Sequence, residues 1–349
     1  MRQGRFLAPG AREGLRAGIY HCVSRVVDRG FVLEKREKEH FVRLMRLYER
    51  FCGVRVLAFC VMSNHFHILL EVPQRPEEGL SERAFFARLS LLYSELHVAE
   101  VRQQIQERKK ARDWDGVEEV MGRYLYRMWD LSQFMKTLKQ RFTQWFNKRH
   151  GRRGTLWEER FKSVIVEDGY AARVIAAYID LNPVRAGMVK APEKYRWSGY
   201  AEALAGKPEA RVGIERVMSQ FEEWAGGRRE RKRWREVVSD YRVILFSDGE
   251  EDSRGQDRRQ RVEVARRDPA REGVAQVRTS EGSLSSARLL RYKVKHFVDG
   301  AVIGSEAFVD EIFLAGRSRF GDRRTSGARK MRGCETSLRS LRDLRSGSG

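Results

Sequence analysis

Residues 54–72, which read VRVLAFCVMSNHFHILLEV, decide the fold of this chain. Two runs rich in β-branched and aromatic residues, 54–62 and 65–72, are separated only by Ser63-Asn64. Runs of this length and composition, bounded by turn residues, are typical of β-strands. The stretch therefore predicts two consecutive strands joined by a short turn.

The second run contains His65-Phe66-His67. Because side chains alternate between the two faces of a strand, both histidines share one face and Phe66 takes the other. Two imidazoles about 7 Å apart at Cα can converge on one divalent ion. The pattern alone fits two ordinary surface or core histidines as well. To interpret it as a metal site, a further ligand and a reaction that uses the metal have to be found in the sequence.

The flanking sequence predicts one α+β domain at about 15–205. Residues 18–31 predict a strand and its turn, and Lys35 to Cys52 carry apolar residues at helical spacing, with Gly53 closing the helix. The further predicted elements are a helical insertion at about 77–129, a helix from Leu131 to Phe146, a strand from Phe161 to Val166, and a helix from Gly169 to Leu181 that Pro183 ends.

The chain beyond this domain is predicted to form a helical region at 206–248, a charged linker at 249–282, a small helical domain at 283–320 and a disordered basic tail at 321–349. In the small domain, two short helices are expected around Asp299-Gly300, with Ser305 as the N-cap of the second. Such a pair fits a helix-turn-helix DNA reader, and it fits any small helical hairpin equally.

The charge balance indicates a polyanionic partner. The 349 residues include 69 Lys and Arg against 48 Asp and Glu, a net charge of +21. Nucleic acid is the first candidate, because cations that neutralise phosphates release counterions, and an anionic membrane surface is the second. Residues 131–162 are especially basic, with nine Lys or Arg and two acidic residues. We expect this segment to contribute to a phosphate-binding surface.

Other compositional features indicate a soluble cytoplasmic protein. The longest apolar run, Val56 to Met62, is far shorter than the roughly 18–20 residues that cross a bilayer, so no membrane-spanning segment is expected. With nucleic acid as the first candidate, we expect no membrane partner. No secretory signal is visible at the N-terminus. The four cysteines have no CxxC spacing, which predicts neither a structural zinc site nor a disulfide framework.

Residues 178–183, YIDLNP, add a possible nucleophile and a possible third metal ligand. Tyr178 and Asn182 are four residues apart on the predicted helix and so share a face. Tyrosine, with an ordinary pKa of about 10, is a weak nucleophile unless a cation or base lies nearby. A metal ion with neighbouring Lys or Arg would provide that activation. A half-buried helix aromatic and a helix-ending Asn before proline are the alternative interpretations.

Three stretches, 58–71 (AFCVMSNHFHILLE), 154–168 (GTLWEERFKSVIVED) and 178–189 (YIDLNPVRAGMV), resemble REP-associated tyrosine transposases, a branch of the single-tyrosine HUH transposases. The resemblance covers about 18–75 and 130–205. It implies a ferredoxin-like antiparallel sheet with flanking helices, the HUH endonuclease fold, followed here by a helical C-terminal extension.

The same resemblance implies a site and a reaction. Tyr178 would be the nucleophile, His65 and His67 metal ligands, Asn182 the third ligand, and Mg²⁺ or Mn²⁺ the cofactor. The substrate would be single-stranded or hairpin DNA, similar to repetitive extragenic palindromes, that is cleaved and rejoined through a 5′-phosphotyrosine intermediate.

Six basic residues are predicted to contact the DNA backbone: Lys136, Lys139, Arg141, Arg152, Arg153 and Lys162. The alternative function is a non-catalytic nucleic-acid-binding or regulatory protein derived from a transposase, against which the intact histidines, Tyr178 and Asn182 argue. The resemblance explains neither the 77–129 insertion nor the C-terminal third, and it fits a monomer or a homodimer.

Overall fold

The strand pair predicted at 54–72 lies at one edge of the main sheet. The computed structural model describes residues 5–11, 13–219, 233–246, 284–285, 296–331 and 334–342. Its strands are β1 (Gly18–Arg25), β2 (Arg55–Val61), β3 (His65–Val72), β4 (Lys162–Val166), β5 (Leu284–Ser285), β6 (Val302–Gly304), β7 (Arg329–Lys330), β8 (Cys334–Glu335) and β9 (Arg339–Leu341).

The described helices lie between these strands in the sequence. They are α1 (Lys35–Cys52), α2 (Glu82–Leu89), α3 (Glu95–Lys110), α4 (Trp114–Leu125), α5 (Leu131–His150), α6 (Tyr170–Asp180), α7 (Asn182–Arg185), α8 (Gly199–Leu204), α9 (Pro208–Ser219), α10 (Trp234–Phe246), α11 (His296–Asp299) and α12 (Glu306–Ala315). The helix α1 has its predicted bounds, and Gly53 ends it in the left-handed conformation with φ 66°.

The main sheet has seven strands in the order β2-β3-β1-β4-β6-β9-β7, and β5 pairs separately with β8. Neighbouring strands of the main sheet are antiparallel except for the parallel pair β4 and β6. The separate pair β5 and β8 is parallel. Within this sheet, β1, α1, β2, β3, α5 and β4 follow the β-α-β-β-α-β order of ferredoxin-like folds. The predicted α+β class, with an antiparallel sheet and flanking helices, is confirmed.

Two apolar cores lie on opposite faces of this sheet. On one face α1 and α5 pack against the side of β3 that carries Phe66, with Phe41 and Phe142 fully buried there. On the other face α6, α8, α9 and α10 pack against the side that carries Leu69. Alternate residues of β1, β3 and β4 therefore supply opposite cores, and in β2 a bulge between Val56 and Ala58 shifts the alternation by one residue.

The helical insertion predicted at 77–129 is present as α2, α3 and α4. These helices bury their own apolar cluster, centred on Phe85, Leu89 and Ile105. Ser81, Ser94 and Asp113 cap the three helices by accepting a hydrogen bond from a backbone N–H of the first turn.

The C-terminal third differs from the prediction. The described part of 283–320 contains β5, α11, β6 and α12. A strand therefore lies between the two helices where only a turn was predicted, and this strand, β6, joins the main sheet. The predicted N-cap is confirmed, since the Ser305 hydroxyl accepts a hydrogen bond from Phe308 N–H at 3.2 Å. A strand of three residues is too short to give an alternating pattern, which is why β6 was not predicted.

The disorder expected for 321–349 is wrong for the part that the structure describes. Here β7 and β9 extend the sheet, and Met331, Leu338 and Leu341 are buried. The composition of this segment, with few apolar residues, predicted disorder. Each of these three apolar residues is nevertheless part of a hydrophobic core. The predicted linker at 249–282 lies outside the described residues. Among those that are described, no helix combines the length and apolar character needed to cross a membrane.

The contact between α9 and β2 leads to a stability prediction. A Cβ added at Gly213 would lie 2.7 Å from the Leu57 carbonyl oxygen and 2.8 Å from that of Val56. We expect Gly213→Ala to destabilise the protein by about 3 kcal/mol, because backbone oxygens cannot move aside as a flexible side chain does.

Gly122 in α4 is the matched control, because a Cβ there would meet nothing within 4 Å. Gly122→Ala should raise stability by about 0.5–1 kcal/mol. Urea unfolding of both variants measures the difference, and equal effects would contradict the close approach of α9 to β2.

Candidate active site

His65 and His67 lie on β3 beside β1. In the antiparallel register His67 is opposite Val23, and His65 is opposite Arg25. As predicted, Phe66 points the other way into the core under α1 and α5. We call the sheet face that carries His65, His67 and, on β1, His21 the histidine face. It is the face that α6 covers.

His21 contacts His67 directly. Its Nε2 lies 3.0 Å from His67 Nδ1, and its Nδ1 donates to the backbone oxygen of Phe297 at 2.6 Å. Both rings are buried, with exposed fractions of 0% and 3%. Burial lowers the pKa of His21 to about 4 and the pKa of His67 well below its usual range, so both imidazoles are neutral at pH 7.

His65 lies nearer the rim of the site than His67. Its Nδ1 lies 2.6 Å from the side-chain oxygen of Asn64, the residue that precedes it in the turn. The rings of His65 and His67 have centroids 5.1 Å apart and are nearly perpendicular, at 78°. The two predicted ligands are thus neighbours on one face, and each uses Nδ1 for a hydrogen bond.

Tyr178 lies against these histidines. The helix α6 crosses the histidine face, and the Tyr178 ring centroid is 6.1 Å from that of His67 and 6.2 Å from that of His21. The ring is only 2% exposed, because Phe297 of α11 packs edge-on against it at 5.0 Å. Burial raises the pKa of Tyr178, and the charge of Arg185 opposes this shift.

Arg185, on α7, is a candidate site residue that we did not predict. Its guanidinium carbon lies 3.9 Å from the centroid of the Tyr178 ring, and its Nη2 donates to the Tyr178 backbone oxygen at 2.8 Å. Burial lowers the pKa of Arg185 to about 10, which still leaves the group charged at pH 7. A fixed positive charge over the ring stabilises a phenolate more than a phenol.

Asn182 begins α7 directly after α6. Its side-chain Nδ2 donates to the backbone oxygen of Tyr178 at 3.2 Å, and the residue is half-buried. The predicted end of the helix before Pro183 is observed, and the four-residue helix α7 follows directly. Pro183 lies in the first turn of α7, where proline is tolerated. The Asn182 amide uses its nitrogen in the contact with Tyr178. Its side-chain oxygen is a ligand of the type that binds Mg²⁺ or Mn²⁺. Its role as a ligand stays a prediction.

The side chains on the histidine face fit a divalent metal in part. Metal-binding histidines usually donate their second ring N–H to an oxygen or another acceptor, and the Nδ1 contacts of His65 and His67 follow that pattern. In the part of the chain that the structure describes, no three His, Cys, Asp or Glu side chains form a group able to hold a metal. A third protein ligand among those residues would therefore be of another type, as Asn182 is.

The six predicted DNA-contact residues lie in three places. Lys162 is on β4 opposite Val23, on the histidine face, where it forms an ion pair with Asp299 at 2.9 Å. Arg152 and Arg153 are exposed in the turn that leads from α5 toward the end of β1.

The other three predicted residues, Lys136, Lys139 and Arg141, belong to α5, whose buried side faces the opposite core. Lys136 and Arg141 are exposed, and Lys139 donates to the Glu159 backbone oxygen at 2.8 Å. Burial lowers the pKa of Lys139 to about 8. A DNA strand that contacted these residues and Tyr178 would have to pass around an edge of the sheet.

Asp180, two residues after Tyr178, is fully buried and makes stability depend on pH. It accepts hydrogen bonds from the Tyr241 hydroxyl at 2.7 Å and from Tyr200 N–H at 3.2 Å. Burial outweighs these bonds and raises the pKa of Asp180 from 3.8 to about 7. The folded protein holds this proton more tightly than the unfolded chain, so stability should fall as the pH rises from about 4 to about 7.

Asp180→Asn has the same shape and no charge, so it should remove this decline. We expect the variant to match the wild type near pH 4 and to exceed it at pH 8 by about 1–3 kcal/mol. Urea unfolding at both pH values tests this, and parallel pH profiles for the two proteins would refute it.

Comparisons with known proteins agree with the N-terminal part of this site. A family model described as "Transposase IS200 like" matches residues 16–81, and no curated protein matches the chain. One solved structure that it resembles is described as "Structure of the REP associates tyrosine transposase bound to a REP hairpin". That match has 14% identity and a TM-score of 0.37, and it covers 59% of this chain and 87% of that chain.

The family-model match spans β1 to β3 and includes His21, His65 and His67. It supports a role in DNA transposition. The predicted resemblance to a transposase family is thereby confirmed for residues 16–81, a stretch that ends well before Tyr178.

Proposed function

We propose that this protein is a metal-dependent transposase and endonuclease that cleaves and rejoins single-stranded DNA at hairpin repeats through a 5′-phosphotyrosine intermediate. The convergence of Tyr178 with His67 on the histidine face supports this proposal most directly. The two residues come from elements far apart in sequence, and a tyrosine phenol can form a covalent ester with phosphorus.

In the proposed reaction the Tyr178 oxygen bonds to the scissile phosphorus while the bond from phosphorus to the 3′ oxygen breaks. The phenol loses its proton and the departing 3′ oxygen gains one. A 3′ hydroxyl later attacks the phosphotyrosine ester, which rejoins DNA and restores Tyr178 without ATP. Conserving the bond energy in the ester makes strand exchange possible.

Arg185 would favour the attacking form of Tyr178. Its guanidinium lies over the ring, where its positive charge lowers the phenol pKa against the effect of burial. Its hydrogen bond to the Tyr178 carbonyl and that of Asn182 to the same oxygen hold the end of α6 in place. These two hydrogen bonds thus fix the C-terminal end of α6 and with it the position of Tyr178.

His65 and His67, with Asn182 as the third protein ligand, would hold Mg²⁺ or Mn²⁺. The bound ion would supply positive charge next to the phosphoryl oxygens. Two imidazole ligands suit Mn²⁺ better than Mg²⁺, which prefers oxygen ligands.

The substrate assignment draws on charge and on exposure. Arg25 and Lys162 lie near the histidines, and the exposed Arg152 and Arg153 continue the positive charge beyond the end of β1. Tyr178 is buried and packs against Phe297, so its hydroxyl is recessed from the surface. A flexible single strand approaches such a recessed residue more easily than a stiff duplex.

The test uses the full chain with a single-stranded DNA that contains a hairpin and a 3′ flank, in Mn²⁺. A 5′-phosphotyrosine retains the downstream fragment, so a label on the DNA 3′ end should move with the protein on a denaturing gel. A label on the 5′ end should not. Digestion with trypsin should place the nucleotide on peptide 174–185, VIAAYIDLNPVR, in which Tyr178 is the one tyrosine.

Tight hairpin binding with no adduct, using hairpins from the genome that encodes the protein, would contradict the enzymatic function. The non-catalytic DNA-binding alternative would then stand.

A further inference from the structure

We propose that His21 is a positioning residue that holds His67 in the tautomer able to bind a metal, and that the Phe297 carbonyl completes this relay from the C-terminal segment. The inference rests on the proposed function, because it concerns the same metal ligands. It assigns roles to two residues that lie outside the predicted ligand set.

The relay starts at the Phe297 carbonyl. A carbonyl oxygen can only accept a hydrogen bond, so the 2.6 Å contact requires the proton of His21 on Nδ1. A second proton on Nε2 would make His21 a cation with no exposed surface. Desolvation strongly disfavours such a charge. His21 is therefore the neutral Nδ1–H tautomer, and its Nε2 carries a lone pair.

That lone pair determines the tautomer of His67. The two facing nitrogens, His21 Nε2 and His67 Nδ1, are 3.0 Å apart, and one of them has to donate. Because His21 Nε2 accepts, His67 Nδ1 donates. A neutral His67 with its proton on Nδ1 has its lone pair on Nε2, which is the form that binds a metal through Nε2.

The same contacts exclude His21 as a metal ligand. Its Nδ1 is used by Phe297 and its Nε2 by His67, so neither nitrogen is left for an ion. The rings of His21 and His67 are close to parallel, with an interplanar angle of 23° and centroids 5.1 Å apart. The rings therefore lie edge to edge, and the hydrogen bond between them limits rotation of the buried His67 ring.

Loss of the relay should weaken metal binding while leaving both proposed histidine ligands in place. Without an acceptor at His21, His67 can take the other tautomer, in which Nε2 carries the proton. Partners of this kind typically change metal affinity by 10–100-fold. We expect His21→Phe to weaken Mn²⁺ binding by about this factor, measured by the electron paramagnetic resonance signal of free Mn²⁺.

His21→Gln is the rescue variant. Its amide N–H can donate to the Phe297 carbonyl and its amide oxygen can accept from His67 Nδ1, so affinity should stay within about threefold of the wild type. Cys22→Ala is the matched control for burial, because Cys22 is also fully buried on β1 and faces the opposite core. It should leave Mn²⁺ affinity unchanged.

A second readout is made on the wild-type protein, so it holds even where His21→Phe does not fold. Long-range ¹⁵N–¹H spectra of metal-free protein labelled at histidine distinguish the two tautomers, and His67→Gln identifies the His67 signals. We expect His67 protonated on Nδ1 and His21 protonated on Nδ1.

Two results overturn the inference: a proton on His67 Nε2 in the wild type, or wild-type Mn²⁺ affinity in a folded His21→Phe. Neither readout depends on DNA cleavage. Absence of a DNA adduct would refute the proposed function without changing them, and an adduct with the wrong tautomer would refute the relay alone.

Discussion

Replacing Tyr178 by phenylalanine should abolish the covalent protein–DNA adduct and reduce strand cleavage roughly a thousandfold or more. The change removes one hydroxyl and keeps the ring that packs against Phe297 and lies under Arg185. The fold and the histidine cluster should therefore be unaffected. Thermal unfolding and Mn²⁺ affinity that match the wild type would show that the loss is chemical.

Tyr170→Phe is the matched control on the same helix. Tyr170 lies eight positions before Tyr178, or about 12 Å along the axis of α6. The substitution removes a tyrosine hydroxyl, as Tyr178→Phe does, at a different position on the helix. It should form the adduct at the wild-type rate. Adduct formation by Tyr178→Phe, or its loss in Tyr170→Phe, would assign the nucleophile to another residue.

Substitution of His65 by alanine should separate cleavage from DNA binding. We expect cleavage to fall at least about a thousandfold, equivalent to about 4 kcal/mol in the activation free energy, because one of two histidine ligands is lost. Hairpin affinity should stay within about threefold, since phosphate contacts by Lys and Arg provide most of it. Gel-shift titrations and single-turnover cleavage on one DNA measure both.

His40→Ala serves as the control for loss of an imidazole. His40 is on α1, where it stacks on Trp145 at 3.8 Å, and α1 covers the face opposite the histidines. Cleavage by this variant should be normal. If affinity fell in step with cleavage in His65→Ala, the metal site and the DNA contacts would not be separate functions.

The elements with a strong local pattern were predictable from sequence. The helix α1 and the pair β2 and β3 carry clear periodicity and end at Gly, Ser, Asn or Pro, so their predicted bounds lie within a residue or so of those observed. His65, His67 and Tyr178 were predicted by spacing and resemblance, and the fold brings them together on one face.

The remaining site residues depend on contacts between distant segments. His21 is one histidine in a strand with no partner nearby in sequence, and it meets His67 only because β1 pairs with β3. Phe297 contributes a backbone oxygen, which any residue has, so no side-chain pattern indicates it. Arg185 lies within the stretch that resembles transposases, seven residues after Tyr178 in the sequence. This short separation could have indicated Arg185 as a site residue.

The parallel pairing of β4 with β6 has a consequence for how the protein is made. Ile165 pairs with Val302, so more than a hundred residues are synthesised before the fifth strand of the sheet can be added. The four strands β1 to β4 can assemble earlier on the ribosome, with Tyr178 not yet covered by Phe297. The proposed His21 relay can be completed only when the C-terminal segment arrives, so assembly of the proposed metal site would be a late event in the life of the chain.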